Sequence, residues 1–351
     1  MRLIEKVWFQ GHLAKWWLVP LLLPLMAIFA VLSFIRRLAY KLGLLKSVKM
    51  SVPIVVVGNI GVGGNGKTPV TLYLVEKFIE KGIQVGVVSR GYGSKAPHYP
   101  YQVQAASTAE QAGDEPLLIF QRSGVNVVIG SDRVAGCQLL IEQGCELIIA
   151  DDGLQHYRLA RDFEFVVVDG KRLFGNGLLL PAGPLRETTQ RLKRADCIIV
   201  NGESSWHKQV KNLTLPLLTM QLTANKVVNV KTGESVKLER FLTQYLDDTH
   251  KINALAGIGD PKRFFNTLEQ CGFSLAMVQG FVDHQTFTAD DLQLFSDDLP
   301  LLMTEKDAVK CVDFAQENYW YLPVDAVFSE STGRGYITAV ITKLVELVNK
   351  N

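Results

Sequence analysis

The chain has 351 residues, of which 48% are apolar and 21% are charged, and its formal net charge is +2. This composition argues against a disordered chain, and the small net charge gives no reason to expect a nucleic-acid partner. The length allows two domains, each with its own core. The five cysteines are scattered without a C-x-x-C pair, which indicates buried thiols in a reducing compartment and predicts neither disulfides nor a metal site.

The N-terminal 40 residues contain a long apolar stretch. Residues 16–35, WWLVPLLLPLMAIFAVLSFI, carry no charge, and as a helix they would extend roughly 30 Å, the thickness of a bilayer's hydrocarbon core. Pro20 and Pro24 disfavour a straight spanning helix. Three interpretations stay open: an anchor lying in one leaflet, a single span, or a buried core helix. We expect a membrane-anchoring helix over residues 1–40, with the basic residues that follow favouring a cytoplasmic main body.

Residues 50–215 alternate between short apolar runs and helical stretches. Runs such as PIVVVGN, CELIIADDG and FEFVVVDG show nearly continuous Val and Ile, which is typical of parallel strands buried on both faces. This pattern predicts an α/β domain with a doubly wound, mainly parallel sheet. Polar–apolar alternation over 216–238 predicts a β-hairpin with KTGE as its turn. The hairpin would link this domain to a smaller α/β lobe at 239–335, followed by a C-terminal helix at 336–351.

A glycine-rich loop follows the first of the apolar runs. It matches G-x-x-x-x-G-K-[ST] at every fixed position, with a strand-like run before it and a helical stretch after it. Such a loop surrounds phosphate oxygens with backbone N–H groups at a helix N-terminus, so the sequence predicts a P-loop that binds a nucleoside triphosphate. The predicted nucleotide-binding residues are Gly61, Val62, Gly63, Gly64, Asn65, Gly66, Lys67 and Thr68, with Lys67 at the β- and γ-phosphates and Thr68 on Mg²⁺.

Two aspartates, Asp151 and Asp152, end the run CELIIADD. A carboxylate at the carboxyl end of a neighbouring strand would orient Mg²⁺, and ligands of open α/β sheets bind at that edge. A solvated Asp-Gly turn is the alternative explanation.

The further motifs resemble those of the tetraacyldisaccharide 4'-kinases, the lipid A 4'-kinases of Gram-negative bacteria. They are, in order, VGNIGVGGNGKTP, SRGYG, AGDEP, SDR, ADDGLQH, GNGLLLPAGPLRE, GIGDPKRFF, DHQTFT and LMTEKDAVK. The resemblance runs from about residue 2 to residue 340 and includes the apolar N-terminus. One departure is Gly61, where family members often carry threonine. An extra glycine should not harm phosphate binding.

The resemblance implies transfer of the γ-phosphate of ATP, with Mg²⁺, to the 4'-hydroxyl of tetraacyldisaccharide 1-phosphate, which gives lipid IV(A). It also implies a peripheral or monotopic protein of the inner membrane, with lipid as a partner and the active site on the cytoplasmic face. We expect a monomer.

The resemblance also implies roles for single side chains. Asp114 in AGDEP matches the base that accepts the hydroxyl proton, and His284 in VDHQTF matches its partner from the second lobe. By the residues alone, Asp114 could be a charge at a helix start and His284 a structural histidine. Lys67 completes the catalytic set. The remaining assignments are Glu115, with Thr68, Asp151 and Asp152, as metal ligands, and Arg90, Gln155, His156 and Arg186 as weaker substrate or phosphate contacts.

Several alternatives stay open at this stage. His156 could be a packed or capping side chain, and Arg186 could form a surface ion pair. The motif GIGDPKRFF could bind an anion, or it could start a helix with Asp260 as cap and Pro261 at the first position. Two other functions are compatible with a P-loop. An ATP-driven switch would hydrolyse ATP without an acceptor. In a non-catalytic nucleotide-binding scaffold, Asp114→Ala would leave all activity unchanged.

Overall fold

The computed structural model describes residues 3–202, 215–247, 249–329 and 333–350. The helices in these ranges are α1 (Leu3–Gln10), α2 (Lys15–Lys41), α3 (Lys67–Ile79), α4 (Ala109–Ala112), α5 (Asp114–Ser123), α6 (Arg133–Glu142), α7 (Leu238–Gln244), α8 (Pro261–Gln270), α9 (Ala289–Leu292), α10 (Glu305–Ala308) and α11 (Gly333–Val348). The strands are β1 (Ile54–Gly58), β2 (Val85–Ser89), β3 (Tyr101–Gln102), β4 (Asn126–Ile129), β5 (Leu147–Asp151), β6 (Phe163–Asp169), β7 (Cys197–Asn201), β8 (Leu217–Thr223), β9 (Lys226–Asn229), β10 (Ser235–Lys237), β11 (Lys251–Ala256), β12 (Ser274–Gly280), β13 (Leu301–Thr304), β14 (Tyr319–Leu322) and β15 (Asp325–Phe328).

The larger sheet has, among the described residues, nine strands in the order β15-β8-β7-β6-β1-β5-β2-β4-β3. The strands from β8 to β4 run parallel, and β15 and β3 add antiparallel edges. The central strand β1 sends Val55 and Val57 into one hydrophobic core and Ile54 and Val56 into the other. Burial on both faces explains its continuous apolar run, and it confirms the predicted doubly wound, mainly parallel sheet.

The smaller lobe is built on a six-stranded sheet in the order β10-β9-β14-β13-β11-β12. Four of its strands, β14, β13, β11 and β12, are parallel, and the β9–β10 hairpin adds two antiparallel strands at one edge. Two further hydrophobic cores fill the two sides of this sheet. The predicted second, smaller α/β lobe is therefore present.

The connection between the two sheets differs from the predicted hairpin at 216–238. Strand β8 stays in the larger sheet beside β7, and the hairpin is made only by β9 and β10, with its turn at KTGE. The chain crosses to the smaller sheet at residues 224–225 and returns at 323–324, because β15 pairs with β8 in the larger sheet. Polar–apolar alternation marks strands with one buried face, but it does not say which neighbour each strand pairs with.

The C-terminal helix also belongs to the larger unit. In α11, Ile337, Val340, Ile341 and Leu344 are buried in the same core as β1. The boundary of the smaller lobe thus lies near residue 323 and not at the predicted 335.

The N-terminal segment forms two helices rather than one. In α1, Val7 is buried and the Trp8 Nε1–H donates to the carbonyl of Pro181 at 3.2 Å, so this helix packs on the larger unit. In α2, which lies wholly in the described part of the chain, every residue is at least partly exposed, including Trp16 and Trp17. By length and composition α2 is able to cross a membrane. Of the three interpretations, the buried core helix is therefore wrong.

Candidate active site

The P-loop connects β1 to α3 at the carboxyl edge of the larger sheet. Gly66 precedes the helix with a φ of 93°, in the left-handed region that favours glycine. A Cβ atom at this position would lie 2.5 Å from Asn201 Nδ2 and 2.8 Å from Met220 Cε. The backbone angle therefore favours glycine, and a side chain here would also have to displace the ends of the Asn201 and Met220 side chains. The 13-residue helix α3 begins directly after the loop, and a helix N-terminus in this position is suited to binding phosphate.

An ion-pair cluster lies beside this loop. The Lys67 Nζ is 3.4 Å from Asp152 Oδ1, and the Arg186 Nη1 lies 3.2 Å and 3.0 Å from the two oxygens of the same carboxylate. Burial alone would raise the pKa of Asp152, but the charges of Lys67 and Arg186 outweigh it and hold that pKa well below its usual range. The cluster keeps Asp152 ionised and gathers two cations beside the P-loop.

The neighbouring carboxylate, Asp151, has a different environment. It ends β5 fully buried, and its Oδ1 accepts a hydrogen bond from the Thr71 hydroxyl at 3.1 Å. Burial, followed by the negative charge of Glu115, raises the pKa of Asp151 to about 7. Near neutral pH Asp152 is thus ionised whereas Asp151 is partly protonated, and Glu115 is close enough to act on Asp151.

The predicted catalytic pair forms across the two lobes. Asp114 begins α5 in the larger unit, and its Oδ2 lies 3.2 Å from the Nδ1 of His284, which belongs to the smaller lobe. The ring of Tyr92 lies 5.3 Å from the imidazole ring, measured between centroids. His284 has a φ of 63°, an uncommon angle for a residue other than glycine. Residues 170 positions apart therefore meet as the resemblance implies.

Two lysines that the sequence analysis did not single out surround this pair. The Lys306 Nζ lies 3.2 Å from Glu115 Oε1, 3.2 Å from Asp283 Oδ1 and 3.3 Å from His284 Nε2. The Lys310 Nζ is 4.0 Å from Asp114 Oδ2.

These contacts act on the charge of Asp114. Burial would raise its pKa, but the hydrogen bond from His284 and the charges of Lys310 and Lys306 together lower it. Asp114 is therefore kept as a carboxylate. Lys306 and Lys310 lie four residues apart in LMTEKDAVK, a spacing that puts both on one side of a helical turn, which was the signal available in the sequence.

The smaller lobe also reaches the P-loop. The Arg263 guanidinium donates to Asp169 Oδ2 at 3.0 Å and to Asn201 Oδ1 at 3.1 Å, at the ends of β6 and β7. The Asn201 amide in turn donates to the backbone carbonyl of Asn65 in the loop, at 3.1 Å. This series of hydrogen bonds was not predicted from the sequence, because its members come from distant segments.

A second contact between the lobes involves GIGDPKRFF. Asp260 precedes α8 and Pro261 is its first residue, as the helix-start alternative holds, but the Asp260 side chain makes no capping hydrogen bond. It pairs instead with Arg172 of the larger unit, at 3.1 Å.

Gln155 belongs to a network behind the ion-pair cluster. Its amide donates to the carbonyl of Asn59 at 3.0 Å and to Glu187 Oε1 at 3.0 Å. The buried Glu187 also accepts a hydrogen bond from Tyr157 and pairs with Arg37 of α2 at 3.4 Å. The end of the apolar helix is thereby connected to the residues that flank Asp152.

Two predicted contacts, His156 and Arg90, are not part of the clusters described above. His156 is half-buried, and its Nε2 has no hydrogen-bond partner among the described residues. Burial, then the charges of Arg133, Arg161 and Arg36, lower the pKa of His156 to about 4, so the ring is neutral near pH 7. Arg90 follows β2 and is exposed. Neither makes a contact with Lys67 or Asp114 among the hydrogen bonds and ion pairs of the described residues.

The side chains present fit Mg²⁺ rather than a metal held by protein alone. No group of three or more His, Cys, Asp or Glu side chains within the described ranges is arranged as a metal site. Mg²⁺ is usually held by one or two carboxylates together with phosphate oxygens and water, which suits the hydroxyl and carboxylate oxygens of Thr68, Asp151, Asp152 and Glu115.

Comparison with known proteins identifies the family of this chain. The family described as Tetraacyldisaccharide-1-P 4'-kinase matches residues 18–342. A tetraacyldisaccharide 4'-kinase of Colwellia psychrerythraea is 58% identical over 94% of this chain and 95% of its own length, and one of Tolumonas auensis is 45% identical over 98% of both. A crystal structure of LpxK from Aquifex aeolicus in complex with ATP superimposes with a TM-score of 0.75 at 28% identity, covering 93% of this chain and 99% of that one. The family match and the relatives both span nearly the whole chain, which therefore belongs to the tetraacyldisaccharide 4'-kinase family.

Proposed function

We propose that this protein transfers the γ-phosphoryl group of ATP to the 4'-hydroxyl of tetraacyldisaccharide 1-phosphate. The observation that carries the proposal is the 3.2 Å contact between Asp114 and His284, in which a carboxylate of one lobe meets a histidine of the other, as a base and its orienting partner would. Lys67 of the P-loop and Glu115, next to Asp114, are both near enough to Asp151 to act on its charge, which supports a single shared site. The names of the relatives and the ATP complex of the Aquifex aeolicus protein support the same reaction.

In this reaction Asp114 accepts the proton of the 4'-hydroxyl as its oxygen attacks the γ-phosphorus. Its lowered pKa keeps it deprotonated, and the hydrogen bond from His284 orients it. Negative charge grows on the phosphoryl oxygens and the departing ADP, and Lys67, Arg186 and the N-terminus of α3 are placed to stabilise it.

Mg²⁺ would be held by Thr68, Asp152 and Glu115, with Asp151 behind them. Its contribution when bound is to neutralise charge on the β- and γ-phosphates. For Glu115 to take part, it must exchange its present contact with Lys306.

We further propose that α2 anchors the protein to the inner membrane as a peripheral or monotopic protein, with the active site on the cytoplasmic face. The exposure of its apolar side chains supports this, because a large uncovered apolar surface indicates contact with a membrane or a partner. Basic residues at the end of α2 favour the cytoplasmic side. A substrate with four acyl chains stays in the bilayer, so an enzyme anchored to the membrane encounters its substrate there.

The test is to incubate the purified protein in detergent with ATP, Mg²⁺ and tetraacyldisaccharide 1-phosphate and to determine the mass of the product. The expected product carries one more phosphate, located at the 4' position, and its formation requires Asp114. ADP released equally with and without acceptor would instead favour the ATPase alternative, and an Asp114→Asn variant as active as the parent would rule out the assigned base.

A further inference from the structure

Lys306 joins the two lobes at the predicted catalytic pair. It lies in the short helix α10, and its side chain is only 16% exposed. Its ammonium contacts Glu115 of the larger unit and both Asp283 and His284 of its own lobe, at distances of 3.2, 3.2 and 3.3 Å. A buried lysine with three such partners has a defined position rather than the mobility of a surface lysine.

The contact with His284 determines where the imidazole carries its proton. An ammonium has only hydrogen-bond donors, so the 3.3 Å contact to Nε2 is a hydrogen bond only if Nε2 holds a lone pair. The ring proton is then on Nδ1, which lies 3.2 Å from Asp114 Oδ2 and can donate to it. The two contacts agree on one tautomer.

The opposite arrangement fits the distances less well. A proton on Nε2 would have to be donated to Asp283 Oδ1, which is 3.8 Å away, beyond hydrogen-bond range, and already contacts Lys306. The groups that face His284 are thus Asp114 on one nitrogen, Lys306 and Asp283 on the other, and the ring of Tyr92. Behind them, Glu115 contacts Lys306, and Lys310 lies 4.0 Å from Asp114.

We propose that Lys306 is a positioning residue, which keeps Nε2 of His284 unprotonated so that the imidazole donates from Nδ1 to Asp114. The consequence for catalysis rests on the proposed function. The acceptor's O–H bond breaks and its proton goes to Asp114, the oxygen forms a bond to the γ-phosphorus, and the bond from that phosphorus to the bridging oxygen breaks to release ADP. His284 orients the carboxylate throughout and takes up no proton in this step.

The direct test is nuclear magnetic resonance of the full-length protein labelled with ¹⁵N-histidine. Long-range ¹H–¹⁵N spectra distinguish protonation on Nδ1, on Nε2 and on both, and a His284→Gln variant assigns the signal among the six histidines. We expect the Nδ1-protonated form in the parent protein and in the control Lys251→Met, which changes an exposed lysine of the same lobe. In Lys306→Met the neighbouring positive charge is gone while the carboxylates of Asp114 and Asp283 remain beside the ring, so Nε2 should gain a proton, and Lys306→Arg should restore the parental form.

Kinetics supply the second readout. In Lys306→Met, kcat should fall about 10- to 100-fold, as is usual when a group that orients a catalytic residue is lost, with the KM for ATP unchanged. Nε2 that stays unprotonated in Lys306→Met, or that is already protonated in the parent, would overturn the proposal. These spectra need no turnover, so failure of the tautomer assignment is distinguishable from failure of the kinase assignment, in which no variant and no parent forms product.

Discussion

Lys67 and Asp152 form an ion pair, with 3.4 Å between Nζ and Oδ1, although one belongs to the P-loop and the other follows β5. Arg186 is a second cationic partner of the same carboxylate, at 3.0 Å. When Lys67 turns toward a phosphate, Asp152 therefore keeps a counter-charge. The lysine can exchange partners without leaving a partly buried carboxylate unpaired, which would be costly.

Replacing Lys67 by methionine should abolish most of the activity. The loss of a cation that stabilises the transferring phosphoryl group is expected to lower kcat about 10²- to 10³-fold. The measurement is steady-state phosphorylation of the lipid acceptor. Lys77→Met is the matched control, since Lys77 lies on the same helix and pairs with Glu80 at 2.6 Å on the surface. Comparable losses in both variants would contradict the assigned role.

Removing the charge of Lys310 should shift the pH dependence of kcat. Asp114 works as a base only when deprotonated, so activity is lost as the pH falls through its pKa. Lys310 helps to lower that pKa, so Lys310→Met should raise it and move the acid limb of the profile to higher pH. The profile is measured at saturating ATP and Mg²⁺, with thermal melts to confirm folding. An unmoved acid limb would mean that Asp114 is not the titrating base.

Asp151→Asn should stabilise the protein at pH 8 in the absence of nucleotide and metal. The pKa of Asp151 is raised to about 7 in the folded state, against about 4 in an unfolded chain. Its stabilising contribution is therefore fully present below about pH 4 and is lost as the pH rises through 7. Asparagine removes this titration while still accepting the hydrogen bond from Thr71.

Thermal melts at pH 5 and pH 8 measure this effect. At pH 5 the folded parent still holds Asp151 in its protonated form, so the two melting temperatures should lie much closer together than at pH 8. At pH 8 the variant should melt higher, by an amount that corresponds to no more than a few kcal/mol. A variant that is less stable than the parent at pH 8 would show that the carboxylate is ionised without cost.

Charges placed on α2 should release the protein from membranes. Leu25 and Leu32 are 54% and 62% exposed, so Leu25→Asp with Leu32→Asp disturbs no core contact, yet each aspartate costs about 2.5–3.5 kcal/mol in a hydrocarbon environment. Fractionation should move the protein from membrane to soluble fraction, whereas Leu25→Met with Leu32→Met should stay bound. ATP affinity should be equal in both.

Deletion of residues 1–35 is a poorer test, because it also removes α1, which packs beside the P-loop.

The glycine-rich loop and the buried strands were predictable from the sequence, because each depends on neighbouring residues. The pairing of strands that are distant in the sequence was not predictable. The loop was recognisable from the glycine pattern of Gly61–Gly66 because a backbone angle such as that of Gly66, with a φ of 93°, favours glycine and so leaves a local mark in the sequence. The strands of the larger sheet were predictable because burial on two faces leaves an uninterrupted apolar run. In contrast, β8 and β15 pair across 100 residues, and nothing in either run specifies the other.

The same limit applied to the site. Asp114 and His284 were found through the family resemblance, since no spacing connects residues this far apart. Lys306 and Arg263 were missed because their significance depends on how the smaller lobe is placed over the larger one, which is decided by packing rather than by local pattern.

The pairing of β8 with β15 has a consequence for how acceptor recognition is built. Thr223 and Asp325 are opposite each other, so everything between them is an insertion whose two ends start side by side in an already complete sheet. Such an insertion imposes little loop-closure entropy on its host. The smaller lobe, which carries His284, can therefore be exchanged as one unit, provided that the replacement keeps the contacts of Arg263 with Asp169 and Asn201 beside the P-loop.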